Sequence, residues 1–203
     1  MWNDSEMLHY LQENLSEKRL RHSISVSETA VSLASKYGEN IEKSRIAGLV
    51  HDCAKNMNDA GLIKMAGDHE IYIDEVYQHN PSILHGLVGS IIAKEVMGIY
   101  DQDILSAIAY HTTGRKDMSL LEKIIYIADY IEPLRKLEGI EELRDLSYVD
   151  LDAAVVKSLD NSIEYVISKN ELLQLDTVGA RNYLLIKNRR WKDERKRKQE
   201  KIN

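Results

Sequence analysis

Six side chains able to bind a metal ion stand where the chain otherwise calls for apolar residues: His22, His51, Asp52, His85, His111 and Asp129. Residues three and four apart share one face of a helix, so the neighbours of each show which way it points. His22 is in register with Val26, Thr29 and Leu33, His51 with Ala47, Val50 and Ala54, His85 with Val88 and Ile92, and His111 with Ile104 and Ile108. Four histidines from four helices therefore face inward. Asp52 follows His51 within IAGLVHDCA, and Asp129 interrupts IIYIADYI. A buried carboxylate has to be protonated, paired or metal-bound, and neither run holds a Lys or Arg to pair with it locally.

Any one of these histidines, taken alone, reads as a core residue hydrogen-bonded to backbone. Six mutually consistent positions, including an adjacent His-Asp, favour a metal site. Imidazole and carboxylate ligands without thiolate suit iron, manganese or zinc and disfavour a thiolate-rich structural zinc site. The single cysteine, Cys53, is not needed as a ligand. Six ligands exceed what one open catalytic ion requires. Two ions bridged by Asp52 are the economical arrangement, and such a pair would lower the pKa of a bridging water and orient the hydroxide it yields. His9, His69 and His79 lack the pattern and read as surface or pocket-edge residues.

The elements that must position these groups are helical, because apolar residues recur at helical rather than alternating spacing almost throughout. The spacing predicts an all-α domain with helices near 4–16, 18–37, 42–53, 60–67, 83–97, 101–111, 119–131, 148–169 and 177–200. Gly38 and Gly98 suit the left-handed position after a helix, and Pro133 should end the helix that carries Asp129. Asn80 should cap a helix begun by Pro81, with His85 about one turn inside it.

The 203 residues fit one domain. Two prolines, ten glycines, no phenylalanine and 43% hydrophobic residues describe a folded, soluble chain without a low-complexity linker. One cysteine excludes an intrachain disulfide, and MWNDSEMLHYLQENL is too acidic and interrupted for a secretory signal, so the cytoplasm is the expected compartment. No apolar run approaches the roughly 20 residues needed to cross a bilayer, which argues against a membrane role. From Arg181 to Asn203 there are ten Lys/Arg and three Asp/Glu, a local charge of +7 that leaves −13 on the rest of a chain of net charge −6. An acidic body disfavours a nucleic-acid partner, while a compact pocket lined by cations could still receive an anionic substrate. The basic tail, about 181–203, reads as a solvated helix, with contact to RNA or an acidic partner as the lesser alternative.

The order His22, His51-Asp52, Asp129 resembles the HD-domain metal-dependent phosphohydrolases, whose fold is an all-helical bundle around a metal site. The longer segments SRIAGLVHDCAK (44–55), NPSILHGLVGS (80–90), AIAYHTTGR (107–115) and LEKIIYIADYIEPLR (121–135) are similar to those of the bacterial YqeK family, over approximately residues 5–190. That resemblance implies symmetrical hydrolysis of diadenosine tetraphosphate to two ADP at a two-metal centre of divalent or mixed-valence ions. Iron is the favoured metal, and manganese or zinc the alternatives. It also implies that His22, His51, Asp52 and Asp129 hold one ion and that Asp52, His85 and His111 hold the other. A nucleotidase or phosphodiesterase with the same metals is the nearest alternative, and a nucleotide sensor without turnover is the alternative of a different class. A homodimer is left open.

Around this set, Asp52 and Lys55 are the candidate catalytic residues. Lys55, three residues beyond Asp52, could also reach a phosphate oxygen, although a lysine near a helix end is usually solvated. Thr112 and Arg115 follow His111, with Arg115 the preferred forked phosphate ligand of that segment. Arg135, just past Pro133, is a second candidate that could equally pair with Glu132 or Glu138. Tyr110, Tyr126 and Tyr130 are left between packing and base recognition.

Overall fold

Helix starts along the chain are written in short polar residues. Asn3, Ser16, Asn40, Asn58, Asp74, Asp101, Ser119 and Asp150 each accept a first-turn amide, and Asn3 and Ser119 complete capping boxes with Glu6 and Glu122. In the computed structural model, which describes residues 1–200 and side chains through residue 188, the result is α1 (Asp4–Asn14), α2 (Glu17–Tyr37), α3 (Ile41–Val50), α4 (Asp59–Asp68) and α5 (Glu75–His79). A 3-10 turn, Pro81–Leu84, leads into α6 (His85–Glu95), α7 (Gln102–Ala109), α8 (Leu120–Ile131), α9 (Ile140–Ser147), α10 (Leu151–Ser168) and α11 (Leu175–Glu200). The described residues contain no strand, and none of their helices is long and apolar enough to cross a membrane.

α2, α3, α7 and α8 pack on one another, α6 lies against α7, and α10 covers α8 and carries α11. Their shared core includes Val26, Ala30 and Leu33 from α2, Ile46 and Val50 from α3, Ile108 from α7, and Ile124, Ile125 and Ala128 from α8. The candidate ligands sit on the polar seam of this core.

Two glycines set how closely the ligand-bearing helices approach. A Cβ on Gly48 would come within 2.8 Å of Ser27 Cα, and one on Gly86 within 2.7 Å of the Ala109 carbonyl oxygen. In both cases the obstacle is backbone, which cannot swing aside. Gly86→Ala should therefore lower stability by about 1–3 kcal/mol. Gly67→Ala, which meets open space in α4, should be neutral or stabilising by up to about 1 kcal/mol. Urea denaturation of the two variants checks the contrast; an unchanged midpoint for Gly86→Ala would mean that α6 and α7 can separate freely.

The boundaries depart from expectation in instructive ways. α3 stops at Val50 and α7 at Ala109, so His51, Asp52 and His111 lie in the turns that follow rather than on the helices themselves. Asn80 makes no side-chain cap; its Oδ1 instead accepts from Ser82 Oγ at 2.5 Å, while Pro81 does open the 3-10 turn one turn ahead of His85. The five-residue α5 and the charged α9 fall in stretches where the spacing predicts no helix, and α10 begins three residues later than its pattern suggests. Gly38 and Gly98 take positive φ as expected, and α8 ends two residues before Pro133. The expected tail helix corresponds to α11, whose charged end lies beyond the described side chains.

Candidate metal centre

The turns that end α3 and α7, the first residue of α6, the second turn of α2 and the last turn of α8 converge on one cavity. All six candidate ligands meet there. Asp52, His111 and Asp129 line a space of about 370 Å³. His22, His51 and His85 lie directly behind them, with His22 Nε2 2.9 Å from Asp129 Oδ1 and His85 Nε2 3.1 Å from Asp52 Oδ1.

The two oxygens of Asp52 face different histidines. Oδ1 lies 3.1 Å from His85 Nε2 and 3.5 Å from His111 Nε2; Oδ2 lies 3.7 Å from His51 Nε2 and 3.9 Å from His22 Nε2. Asp129 Oδ1 joins the second set, 3.9 Å from His51 Nε2. Ligand-sized groups with mutual spacing suited to an ion include His22, His51 and Asp129, and His51, Asp52 and His111.

Each ring is oriented from behind through Nδ1. His51, His85 and His111 place Nδ1 at 2.7, 2.6 and 2.7 Å from the carbonyl oxygens of Gly48, Ser82 and Ile108, each three residues earlier. A carbonyl can only accept, so Nδ1 carries the proton and Nε2 turns a lone pair to the cavity. His22 Nδ1 lies 3.0 Å from the buried Glu132 carboxylate, itself held by the Leu134 amide at 2.7 Å. Such outer partners are what orient metal-binding imidazoles.

These residues fit a cation. The His22 and His51 Nε2 atoms are buried without a hydrogen-bond partner, even though Asp129 Oδ1 stands close to His22: the pair is near but not aligned as donor and acceptor. His85 Nε2 and His111 Nε2 lie 3.0 Å apart with both Nδ1 protons already committed, so two lone pairs confront each other. A positive ion between them relieves that. Burial pushes His51 down to about 4 and lowers His85, leaving neutral imidazoles. Asp52 and Asp129 lie well below the usual carboxylate range although burial opposes it, with the Arg19 guanidinium 3.1 Å from Asp52 and that of Arg135 beside Asp129 as the permanent charges facing them. Burial works against protonating His22, but Asp129 and Glu132 outweigh it and raise that ring. The Cys53 thiol, pushed up to about 12 by burial, faces the Gly89 carbonyl oxygen.

Cations missing from the two apolar runs arrive from elsewhere in the chain. Arg19 Nη1 reaches Asp52 Oδ2 at 3.1 Å, and Arg135 Nη2 reaches Asp129 Oδ1 at 2.7 Å rather than Glu132 or Glu138. Lys55 is half-buried rather than fully solvated, its Nζ 3.1 Å from His85 Nε2, and desolvation lowers its pKa. Thr112 Oγ1 stands 3.1 Å from Nε2 of both His85 and His111. Arg19, Lys55, Thr112 and Arg135 all line the cavity. Arg115 does not. Its Nε donates to buried Glu122 at 2.6 Å and its guanidinium lies over the Tyr110 ring, which commits the preferred phosphate ligand to bracing α8. Tyr126 and Tyr130 face the cavity and Tyr110 does not.

Three residues that matter here were not singled out from sequence. Arg19 carried a signal, three residues before His22 on the same face. Glu132 looked like a spare acid beside Pro133. Arg144, from the unexpected α9, binds the carbonyl oxygens of Ile131, Glu132 and Arg135 at 2.7, 2.9 and 3.1 Å and so fixes the segment that presents Glu132 and Arg135. Glu132→Ala should weaken metal retention by about 10- to 100-fold, the usual effect of losing an outer partner. Competition with a graded series of chelators measures it; unchanged retention would show that His22 needs no support.

Residues 19–134 match the family described as HD domain. The symmetrical bis(5'-nucleosyl)-tetraphosphatase of Halalkalibacterium halodurans is 38% identical over 184 residues, 91% of this chain and 98% of that protein. The enzyme of the same description from Bacillus subtilis is 38% identical over 90% of this chain and 98% of its own length. A crystal structure from Clostridium acetobutylicum, described as a predicted HD superfamily hydrolase involved in NAD metabolism, superposes with a TM-score of 0.90 at 50% identity, covering 92% of this chain and 99% of that one.

Proposed function

This chain belongs to the HD-domain family and, within it, to the relatives of the symmetrical bis(5'-nucleosyl)-tetraphosphatases, and from that premise we propose that it hydrolyses diadenosine tetraphosphate to two molecules of ADP. The observation that carries the metal-dependent part of this reading is the division of Asp52, one oxygen toward His85 and His111 and the other toward His22 and His51. His22, His51, Asp52 and Asp129 would hold one ion and Asp52, His85 and His111 the other, with iron favoured and manganese or zinc as alternatives. When bound, such ions acidify water and neutralise phosphate charge.

The chain's own side chains account for binding and direction. Lys55, Arg19 and Arg135 come from three different segments and converge on the cavity, so a polyphosphate meets cations on several sides. Each is drawn inward by a carboxylate or imidazole, which places it before substrate arrives. Thr112 offers a hydroxyl beside His85 and His111 as a further phosphate partner. Water adds to one central phosphorus as the bond to the central bridging oxygen on its far side breaks; that oxygen leaves on the terminal phosphate of one ADP, the water's oxygen becomes part of the terminal phosphate of the other, and the water's proton is released. Lys55, desolvated and close to the cluster, is the side chain suited to offset charge on the phosphoryl oxygens. A cytoplasmic location completes the reading, since the one thiol has no partner for a disulfide and the substrate is a nucleotide.

Metal content and activity can be followed together through chelation. Protein purified without chelator should carry close to two transition-metal ions per chain by mass spectrometry, lose hydrolysis when stripped, and regain it on adding ferrous or manganous ion. Activity that survives complete stripping would sink the reading.

A further inference from the structure

The cavity is chemically divided. The ionised and metal-binding part of its lining, Arg19, Asp52, Lys55, His111, Asp129 and Arg135, comes from α2, the turns after α3 and α7, and the end of α8 with the segment that follows it. Its remaining lining contains no charged side chain: Thr112 beside the histidines, Tyr126 and Tyr130 from α8, Leu137 from the segment before α9, and Ser162 and Tyr165 on adjacent turns of α10. Tyr165 is 62% exposed and Leu137 47% exposed, although both border a cavity lined by ionised groups. Neither contributes to the core, so packing does not explain two large apolar groups at that mouth.

We infer that Tyr130, Leu137 and Tyr165 form a stacking platform for one nucleobase of the substrate, and that this platform sets which ends of a polyphosphate the enzyme accepts. The inference rests on the hydrolase reading and deepens it. A nucleotide has the same polarity as the cavity, with an anionic chain at one end and a flat, uncharged ring at the other. Lys169 covers one face of the Tyr165 ring at 5.5 Å, which leaves the opposite face for a base. The polar groups at this end are hydroxyls, which both donate and accept, and Ser162 already donates to the Ser158 carbonyl oxygen at 2.9 Å. Nothing among them distinguishes the edge of adenine from that of guanine. Selection follows ring area instead: purines are held better than pyrimidines, and adenine about as well as guanine.

Calorimetry on the metal-loaded protein separates the base from the phosphates. Tyr165→Ala should weaken ADP by about tenfold, the usual scale for losing one stacked base, and leave inorganic triphosphate unchanged. Tyr165→Phe should retain wild-type ADP affinity, and wild-type protein should bind GDP like ADP and UDP more weakly. With diadenosine tetraphosphate, Tyr165→Ala should raise KM by a similar factor while kcat stays within about twofold. An unchanged ADP affinity, or an equal loss for ADP and triphosphate, would overturn the platform. So would a Tyr165→Ala protein that merely passes from dimer to monomer at constant ADP affinity, because the surface would then belong to a second copy. A wild-type protein that binds ADP through Tyr165 yet cleaves nothing would refute the hydrolase reading and leave the nucleoside platform standing.

Discussion

Asp52→Ala should lose both metal ions and, with them, more than about a hundredfold of turnover, because outer-partner losses alone cost about 10- to 100-fold and Asp52 is the proposed shared inner ligand. The reason lies in its two oxygens, which serve separate histidine sets. Removing the side chain also leaves Arg19 without its partner and Lys55 without the nearby negative charge that favours its protonated form. Both effects act on the same cavity. Metal analysis and turnover measured on one preparation decide the matter: a variant that keeps two ions, or keeps wild-type turnover, contradicts the bridge.

His85→Ala tests the division of the ligands from the other side. His85 opens α6, is fully buried, and touches only the Oδ1 face of Asp52. Its loss should empty that face and spare the ion held by His22, His51 and Asp129, so metal content should fall to about one ion per chain. Turnover should still drop by more than about a hundredfold, since a two-ion centre clamps attacking and leaving oxygens together. Retention of both ions would remove His85 from the ligand set, and loss of both would mean that the two positions are not separable. Circular dichroism and the urea midpoint separate either result from simple unfolding.

Much of the centre was legible in the sequence because ligands placed on apolar stripes break a strong pattern. His22 and Asp129 sit within helices, where three- and four-residue spacing fixes direction. His51, Asp52 and His111 were located correctly in space although their helices end earlier, since one more turn of chain barely changes where the side chain points. Other features could not be read locally. Glu132 acts on His22 across 110 residues, and Arg144 ties together a segment from a helix whose charged sequence, IEELRDLS, looks like a connection. Arg115, the expected phosphate ligand, is instead engaged by Glu122, the capping-box acid of α8, a partner seven residues away whose burial the sequence does not reveal. The aromatic mouth likewise needs α8 and α10 to be adjacent before Tyr130 and Tyr165 can be seen as neighbours of one cavity.

Which phosphate bond breaks is reported directly by the products. Metal-loaded protein incubated with diadenosine tetraphosphate should give ADP as the sole nucleotide product on ion-exchange chromatography, two molecules for each substrate consumed. Equal amounts of AMP and ATP, or no product from a fully metallated protein, would contradict the account.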